Sequence, residues 1–255
     1  MSNSIFSLDG KTAIVTGGKQ GIGKAIALAL AQAGADVAVC GRILEDGKLK
    51  AVADEIAGLG RRSLAIQTNI TCRTDVDNLV QKVMDEFGHI DIMVNNAAVR
   101  VMAPLLEISE TDWDSMIDTD LKGCYFCCQA VGKRMVKQQN GHIINIASAL
   151  ASKAVPLQGV YSAAKAGILM MSRVLAVELA QYNIRVNVIS PGLTRTAMTQ
   201  YAWSNPESLK QKESTIAIGR IGEPVDIGGA AVFLASDAAS YVTGHNLQVE
   251  GGLLA

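Results

Sequence analysis

Three side chains in one short stretch have the types and spacing for proton transfer: Ser148, Tyr161 and Lys165. Tyr161 opens a helical pattern that runs to Tyr182, and Lys165 follows four residues later, on the same helix face. An ammonium beside a phenol favours the phenolate and lowers a tyrosine pKa from its reference of about 10. Such a phenol can give or take a proton near neutral pH. Ser148 follows His142–Ala147, an apolar, β-branched run of strand length. A hydroxyl delivered from that strand end can hold a substrate oxygen against the phenol. Tyrosine and lysine at helical spacing are common, so the pair gains meaning only from a cofactor site elsewhere in the chain.

The beginning of the chain offers one. A short strand, Lys11–Thr16, runs into Gly17-Gly-Lys-Gln-Gly21-Ile-Gly23, and a helix over Lys24–Ala33 stops at Gly34. Glycines let the backbone turn tightly and approach a pyrophosphate, whose charge meets the free N–H groups of the helix start. The spacing is T-G-x-x-x-G-x-G rather than the G-x-G-x-x-G of many dinucleotide sites. The next strand, Ala35–Cys40, ends in Gly41-Arg42, where an NAD site usually places a carboxylate for the 2′-hydroxyl. No acid stands there to repel a 2′-phosphate. Arg42 can pair with one, and Lys19 can add to it. NADP(H) is therefore favoured, with NAD(H) as the alternative.

The elements between these motifs alternate. A helix over Glu45–Leu59 precedes a strand over Arg62–Thr68, and a helix over Thr74–Phe87 precedes a strand over Ile90–Val94. A capping-box-like Thr111-x-x-Asp114 opens a long helix to Gln138. Strands are expected again at Ile184–Ile189 and His245–Val249, and Glu223-Pro224 begins a helix between them. This alternation predicts an α/β fold: a doubly wound, Rossmann-like parallel sheet of about seven strands with helices on both faces. Loops after the strands share the carboxyl edge, where ligands bind. Residues 1–255 read as one domain, with a mobile substrate flap at about 194–222.

Composition bounds the partners. Of 255 residues 49% are hydrophobic and 18% charged, and the net charge is −1. That describes a globular chain and gives no electrostatic case for nucleic acid or an anionic membrane. No apolar stretch is expected to reach the length of a membrane span. The stretch Met1–Gly10 lacks the pattern of a signal peptide. Five cysteines, an odd count, read as reduced thiols of a cytoplasmic protein. Cys124, Cys127 and Cys128 share a helix face with no histidine near, so they read as buried thiols rather than metal ligands. Asp112, Asp114, Asp118 and Asp120 lack the glycine and terminal glutamate of a calcium loop, and no metal is expected.

Taken together, Thr16-Gly-Gly-Lys-Gln-Gly-Ile-Gly23, Asn95-Asn-Ala-Ala98, Ser148, Tyr161-x-x-x-Lys165 and Pro191-Gly192 resemble the short-chain dehydrogenase/reductase family, in its single-domain type. The likeness covers nearly the whole chain. It implies an NAD(P)-dependent oxidoreductase that moves a hydride between a nicotinamide and a secondary alcohol or its ketone. Tyr161 would be the general acid and base, Lys165 would hold the nicotinamide ribose and lower the tyrosine pKa, and Ser148 would bind the substrate oxygen. Gly17, Gln20, Gly21 and Ile22 would cradle the pyrophosphate. Asn69 and Ile70 would flank the adenine, and Asn96 and Ala97 the adjacent ribose. Thr194 and Thr196, after Pro191-Gly192, would meet the carboxamide and phosphate side. Three residues depart from the family pattern. Asp120 replaces an asparagine of a proton relay to the lysine, and its charge would raise the Tyr161 pKa unless Lys165 offsets it. Ala98 replaces a glycine, tolerable at negative φ. Asn69 replaces a common aspartate and still offers an acceptor.

Two substrate classes fit: a 3-oxoacyl thioester, or a sugar, polyol or cyclic alcohol. Arg100, Lys153 and Arg195 follow strand ends and could meet an anion, or be solvated loop cations. Met102, Val155, Leu157, Met198, Tyr201 and Trp203 could form an apolar wall, or just pack the flap. A reading of another class is a nucleotide-sensing protein that kept the fold and lost the chemistry. The family further implies a homotetramer, built in part on the small-residue face Ala163, Ala164, Ala166 and Gly167.

Overall fold

The computed structural model describes residues 4–255. Residues 1–3, the head of the N-terminal stretch read above for a signal peptide, lie outside them. Seven strands form one parallel sheet in the order β3-β2-β1-β4-β5-β6-β7. They are β1 (Thr12–Thr16), β2 (Asp36–Gly41), β3 (Ser63–Gln67), β4 (Ile92–Asn95), β5 (Gly141–Ile146), β6 (Ile184–Pro191) and β7 (Asn246–Val249). The chain starts in the middle with β1, winds outward to β3, then returns to lay β4 on the other side of β1. That reversal opens a crevice at the carboxyl ends of β1 and β4.

Alternation along the strands explains the two layers. Ala13, Val15, Val37 and Val39 face one core with α1 (Gly21–Gln32), α2 (Lys48–Gly58) and α9 (Pro224–Ala235). Ile14, Ala38 and Cys40 face the other, with α3 (Arg73–Phe87), α5 (Cys124–Gln138) and α6 (Gly159–Leu179). The doubly wound sheet expected from the sequence is thus present, with element ends shifted by up to three residues. Helix α2 starts at Lys48 rather than Glu45, because Gly47 at its N-cap is left-handed (φ 69°).

Expectations are corrected at two of the helices. The helix towards Gln138 is capped by Ser109, whose hydroxyl accepts the Asp112 N–H at 3.1 Å, not by Thr111-x-x-Asp114. It is also not α-helical throughout: α4 (Glu110–Met116) passes through a π-helical turn, Ile117–Gly123, before α5. The flap segment contains helices, α7 (Gln200–Trp203) and α8 (Pro206–Glu213), the second capped by Asn205 with proline in its first turn. Finally, Gly159–Tyr182 is long and apolar enough, by length and composition, to cross a membrane. Here it lies against β6 and carries the buried Lys165. Its residues Ala163, Ala166, Met170, Val174 and Val177 stay exposed as a helical stripe. Ala164 is interior instead, and Gly167 faces this chain's own Leu121.

His142 makes the sheet sensitive to acid. It is buried in β5, in register with Arg185 of β6. Burial first, then the charges of Arg185 and Lys11, push its imidazole down to about 3 from the ordinary 6.5. The folded state therefore binds this proton less well than the unfolded chain. The stability it contributes is complete above pH 6.5 and is lost as pH falls toward 3. His142→Leu should flatten thermal midpoints measured across that window; parallel curves for variant and wild type would rule the imidazole out.

Candidate active site

A cleft of about 850 Å³ lies over the carboxyl edge of the sheet. One end is the turn between β1 and α1. Gly17 and Gly21 have φ of +65° and +57°, and a Cβ on Gly23 would fall 2.4 Å from the Asn96 amide. Only glycine fits so tight a backbone. Asn96 braces the turn from β4: its Nδ2 donates to the Thr16 carbonyl at 2.9 Å, and its backbone N–H to Thr16 Oγ1 at 3.0 Å. Ala97 N–H donates to the same hydroxyl at 3.1 Å. Gln20, the N-cap of α1, makes no capping bond, so the first N–H groups of that helix are left for an anion. This cradle, empty of Cβ atoms and backed by a helix start, fits a dinucleotide pyrophosphate.

Gln20, Ile22, Arg42, Asn69 and Ile70 line the same end. Arg42 is exposed and without a carboxylate partner among the described residues. Lys19 differs from its expectation: its ammonium is tied to Asp46 at 2.8 Å. So does Asn69, whose Oδ1 accepts from Thr71 N–H and Oγ1, at 3.2 and 3.0 Å. Both lone pairs are used, so this side chain offers its NH2 rather than an acceptor. Ala98 is not among the residues with positive φ, which satisfies the condition set for it.

At the other end, Ser148 leaves β5 as the cap of a short 3-10 turn and accepts the Leu150 N–H at 3.1 Å. Its own O–H proton remains free to donate. Tyr161 and Lys165 follow on α6, both buried, with the ammonium 5.5 Å from the phenol ring centre. Lys165 Nζ donates to the Ile146 carbonyl at 3.2 Å and lies 3.4 Å from Asp120 Oδ2. Asp120 Oδ1 accepts the Val99 N–H at 2.8 Å. Burial works against the ammonium, but the facing charges of Asp120, Tyr161 and Cys124 outweigh it and raise the Lys165 pKa. Burial also dominates at Asp120 and lifts its carboxyl, although Lys165 and the Val99 N–H pull the other way. The lysine is thus held as a cation beside a carboxyl that is a weaker acid than in water.

Pro191, Gly192, Thr194 and Thr196 close the cleft from the end of β6. Thr196 Cγ2 approaches the Gly21 position, which puts this loop on the phosphate side. Of the anticipated apolar wall, Val155, Met198, Tyr201 and Trp203 line the cleft; Met102 and Leu157 do not.

Over residues 17–254 the chain matches the family model described as enoyl-(acyl carrier protein) reductase. It is 40% identical over 248 residues to the 3-oxoacyl-(acyl-carrier-protein) reductase FabG of Thermotoga maritima, spanning 97% of this chain and 99% of that one. A crystal structure described as a short-chain alcohol dehydrogenase of Sinorhizobium meliloti superposes with a TM-score of 0.94 at 40% identity, covering 98% of this chain and 99% of that one. The chain belongs to the short-chain dehydrogenase/reductase family. It is an NAD(P)-dependent oxidoreductase of CH–OH and keto groups. Another family member, described as an NAD(P)-dependent gluconate 5-dehydrogenase of Beutenbergia cavernae with NADP bound, has a TM-score of 0.93 at 36% identity, covering 98% and 99%.

Two features of this family member have no signal in its sequence. Gln158 lies three residues before Tyr161, is 2% exposed, lines the cleft, and has an Oε1 with no partner among the described residues. It follows Leu157, whose φ of 67° is unusual for a leucine. The second is a buried polar chain behind the site: Asn95 Nδ2 donates to Asn145 Oδ1 at 2.8 Å, and Asn145 Nδ2 to Ser172 Oγ at 2.8 Å. Cys124 and Cys128 contact it as buried free thiols.

Proposed function

We propose that the enzyme uses NADP(H), and that Tyr161, Lys165, Ser148 and Asp120 carry the proton side of the reaction. The nicotinamide, when bound, supplies or receives the hydride. Ser148 donates its O–H to the substrate oxygen and steadies charge developing there. Tyr161 gives that oxygen a proton during ketone reduction and removes one during alcohol oxidation. Lys165 holds the ribose and stabilises the phenolate. Asp120 keeps the ammonium in place and so acts as a positioning residue. Gly17, Gln20, Gly21 and Ile22 hold the pyrophosphate; Asn69, Ile70, Asn96 and Ala97 hold the adenosine half; Pro191, Gly192, Thr194 and Thr196 hold the nicotinamide half. The observation that carries this reading is that Ser148, Tyr161 and Lys165 line one cleft with the glycine cradle, with Asp120 buried behind Lys165.

The preference for NADP(H) rests on Arg42, an unpaired cation at the end of β2 with no acid lining the cleft beside it. A panel of ketones and secondary alcohols with NADPH or NADH, followed by nicotinamide absorbance, tests the reading as a whole. Arg42→Leu should weaken NADPH by about 10- to 100-fold, the worth of hydrogen bonds to a charged group, and NADH far less. Equal losses on both would end the assignment of Arg42. The stripe Ala163–Val177 on α6 supports a homotetramer, which light scattering at working concentration would check, and five free cysteines support the cytoplasm.

A further inference from the structure

The cleft is lined by seven lysine or arginine side chains and by no aspartate or glutamate. Three of the seven are matched from outside the wall: Lys19 by Asp46, Lys165 by Asp120 and Arg195 by Glu223. Arg42 belongs to the cofactor end. Lys153 donates to the Leu253 carbonyl at 3.0 Å, and Lys212 lies on the exposed face of α8. Arg100 is different. Its guanidinium carbon lies 5.9 Å from the Tyr161 ring centre and 5.1 Å from that of Tyr201. One N–H donates to the Met198 carbonyl, and no carboxylate among the described residues lies within ion-pair distance. Aromatic rings and a backbone carbonyl fix the fork without spending its charge. A guanidinium has five donors, so several remain for a ligand.

We infer that Arg100 is the anion anchor of the substrate, and that the enzyme takes a small hydroxy acid or oxo acid. This deepens the oxidoreductase reading above and rests on it. The oxygen handled by Tyr161 and the carboxylate gripped by Arg100 are then separated by only a few carbons, because the two side chains are stacked neighbours. A bidentate fork on a carboxylate is the strongest pairing this donor makes. A 3-oxoacyl thioester has no charge near its reacting carbonyl and would leave Arg100 unanswered.

The test compares matched pairs: D-gluconate with D-glucitol, and D-threonate with D-threitol, each with NADP. The acetoacetyl thioester of N-acetylcysteamine, with NADPH, serves as an uncharged ketone. The wild type should favour acids over their neutral partners in kcat/KM. Arg100→Gln should cut that preference by about 10- to 100-fold, mainly through KM, as expected for lost hydrogen bonds to a charge. Arg100→Lys should recover part of it. A wild type that prefers the neutral alcohols or the thioester overturns the inference and leaves the oxidoreductase reading standing. So does an Arg100→Gln variant that loses both members of a pair equally, since Arg100 would then merely prop the Met198 segment. Absence of hydride exchange with every substrate would remove both readings.

Discussion

Tyr161→Phe should lower kcat by about 10²- to 10⁴-fold, the usual worth of a positioned acid or base. NADPH should still bind. The substitution deletes one oxygen and keeps the ring, which packs with Met116 and Val160 and stacks under Arg100. The glycine cradle, Arg42 and the Lys165–Asp120 pair are left as they are. Steady-state rates beside NADPH fluorescence titration separate the two effects. A protein that only senses nucleotides would lose neither, and that result would remove Tyr161 from the chemistry.

Lys165→Met should cost more, because it strikes activity and folding together. Lys165 and Asp120 are 2% and 1% exposed. Removing one partner of such a pair leaves a buried carboxyl facing a hole in its charge balance, at a cost of about 3–5 kcal/mol. The double variant Lys165→Met, Asp120→Asn should recover most of that stability and none of the activity. Denaturant melts read the first and turnover the second; a double variant as unstable as the single one would refute the pairing. The sign with pH follows from the raised lysine pKa. Its contribution is complete below the ordinary value of 10.5 and is lost as pH rises through the higher folded value. Wild type should therefore lose stability at strongly alkaline pH more steeply than Lys165→Met. Asp120→Asn alone should shift the pH–rate profile, because it removes the one buried carboxyl beside the ammonium; superimposable profiles would leave Asp120 with a purely packing role.

How far the sequence reaches depends on whether the determining interaction is local. The strands, the glycine turn and the spacing of Tyr161 to Lys165 are local patterns, and each lies where its periodicity puts it. The sheet order follows from the winding of alternating strands and helices. Arg100, Lys153 and Arg195 show where such reading stops. They look alike along the chain, yet Glu223, 28 residues from Arg195, neutralises it, and Leu253 claims Lys153. Lys153 and Arg100 both keep their charge, but only Arg100 lies over the Tyr161 ring. The orphaned Gln158 and the inward-turned Asn69 are likewise outcomes of contacts made after folding. The apolar length of α6 misleads for a related reason. Hydropathy registers its alanines and methionines but not the sheet that one face covers.

The π-helical turn at Ile117–Gly123 has one further effect. An α-helix advances about 100° per residue, and a wide turn accommodates one residue more than its neighbours. The two halves of this rod are therefore out of phase, so that Met116 keeps company with Tyr161 while Cys124 and Cys128 look into the sheet. Trimming a single residue there would make the rod regular and swing everything beyond it around the axis. The carboxyl of Asp120 would leave its lysine, with no change to any residue that touches substrate.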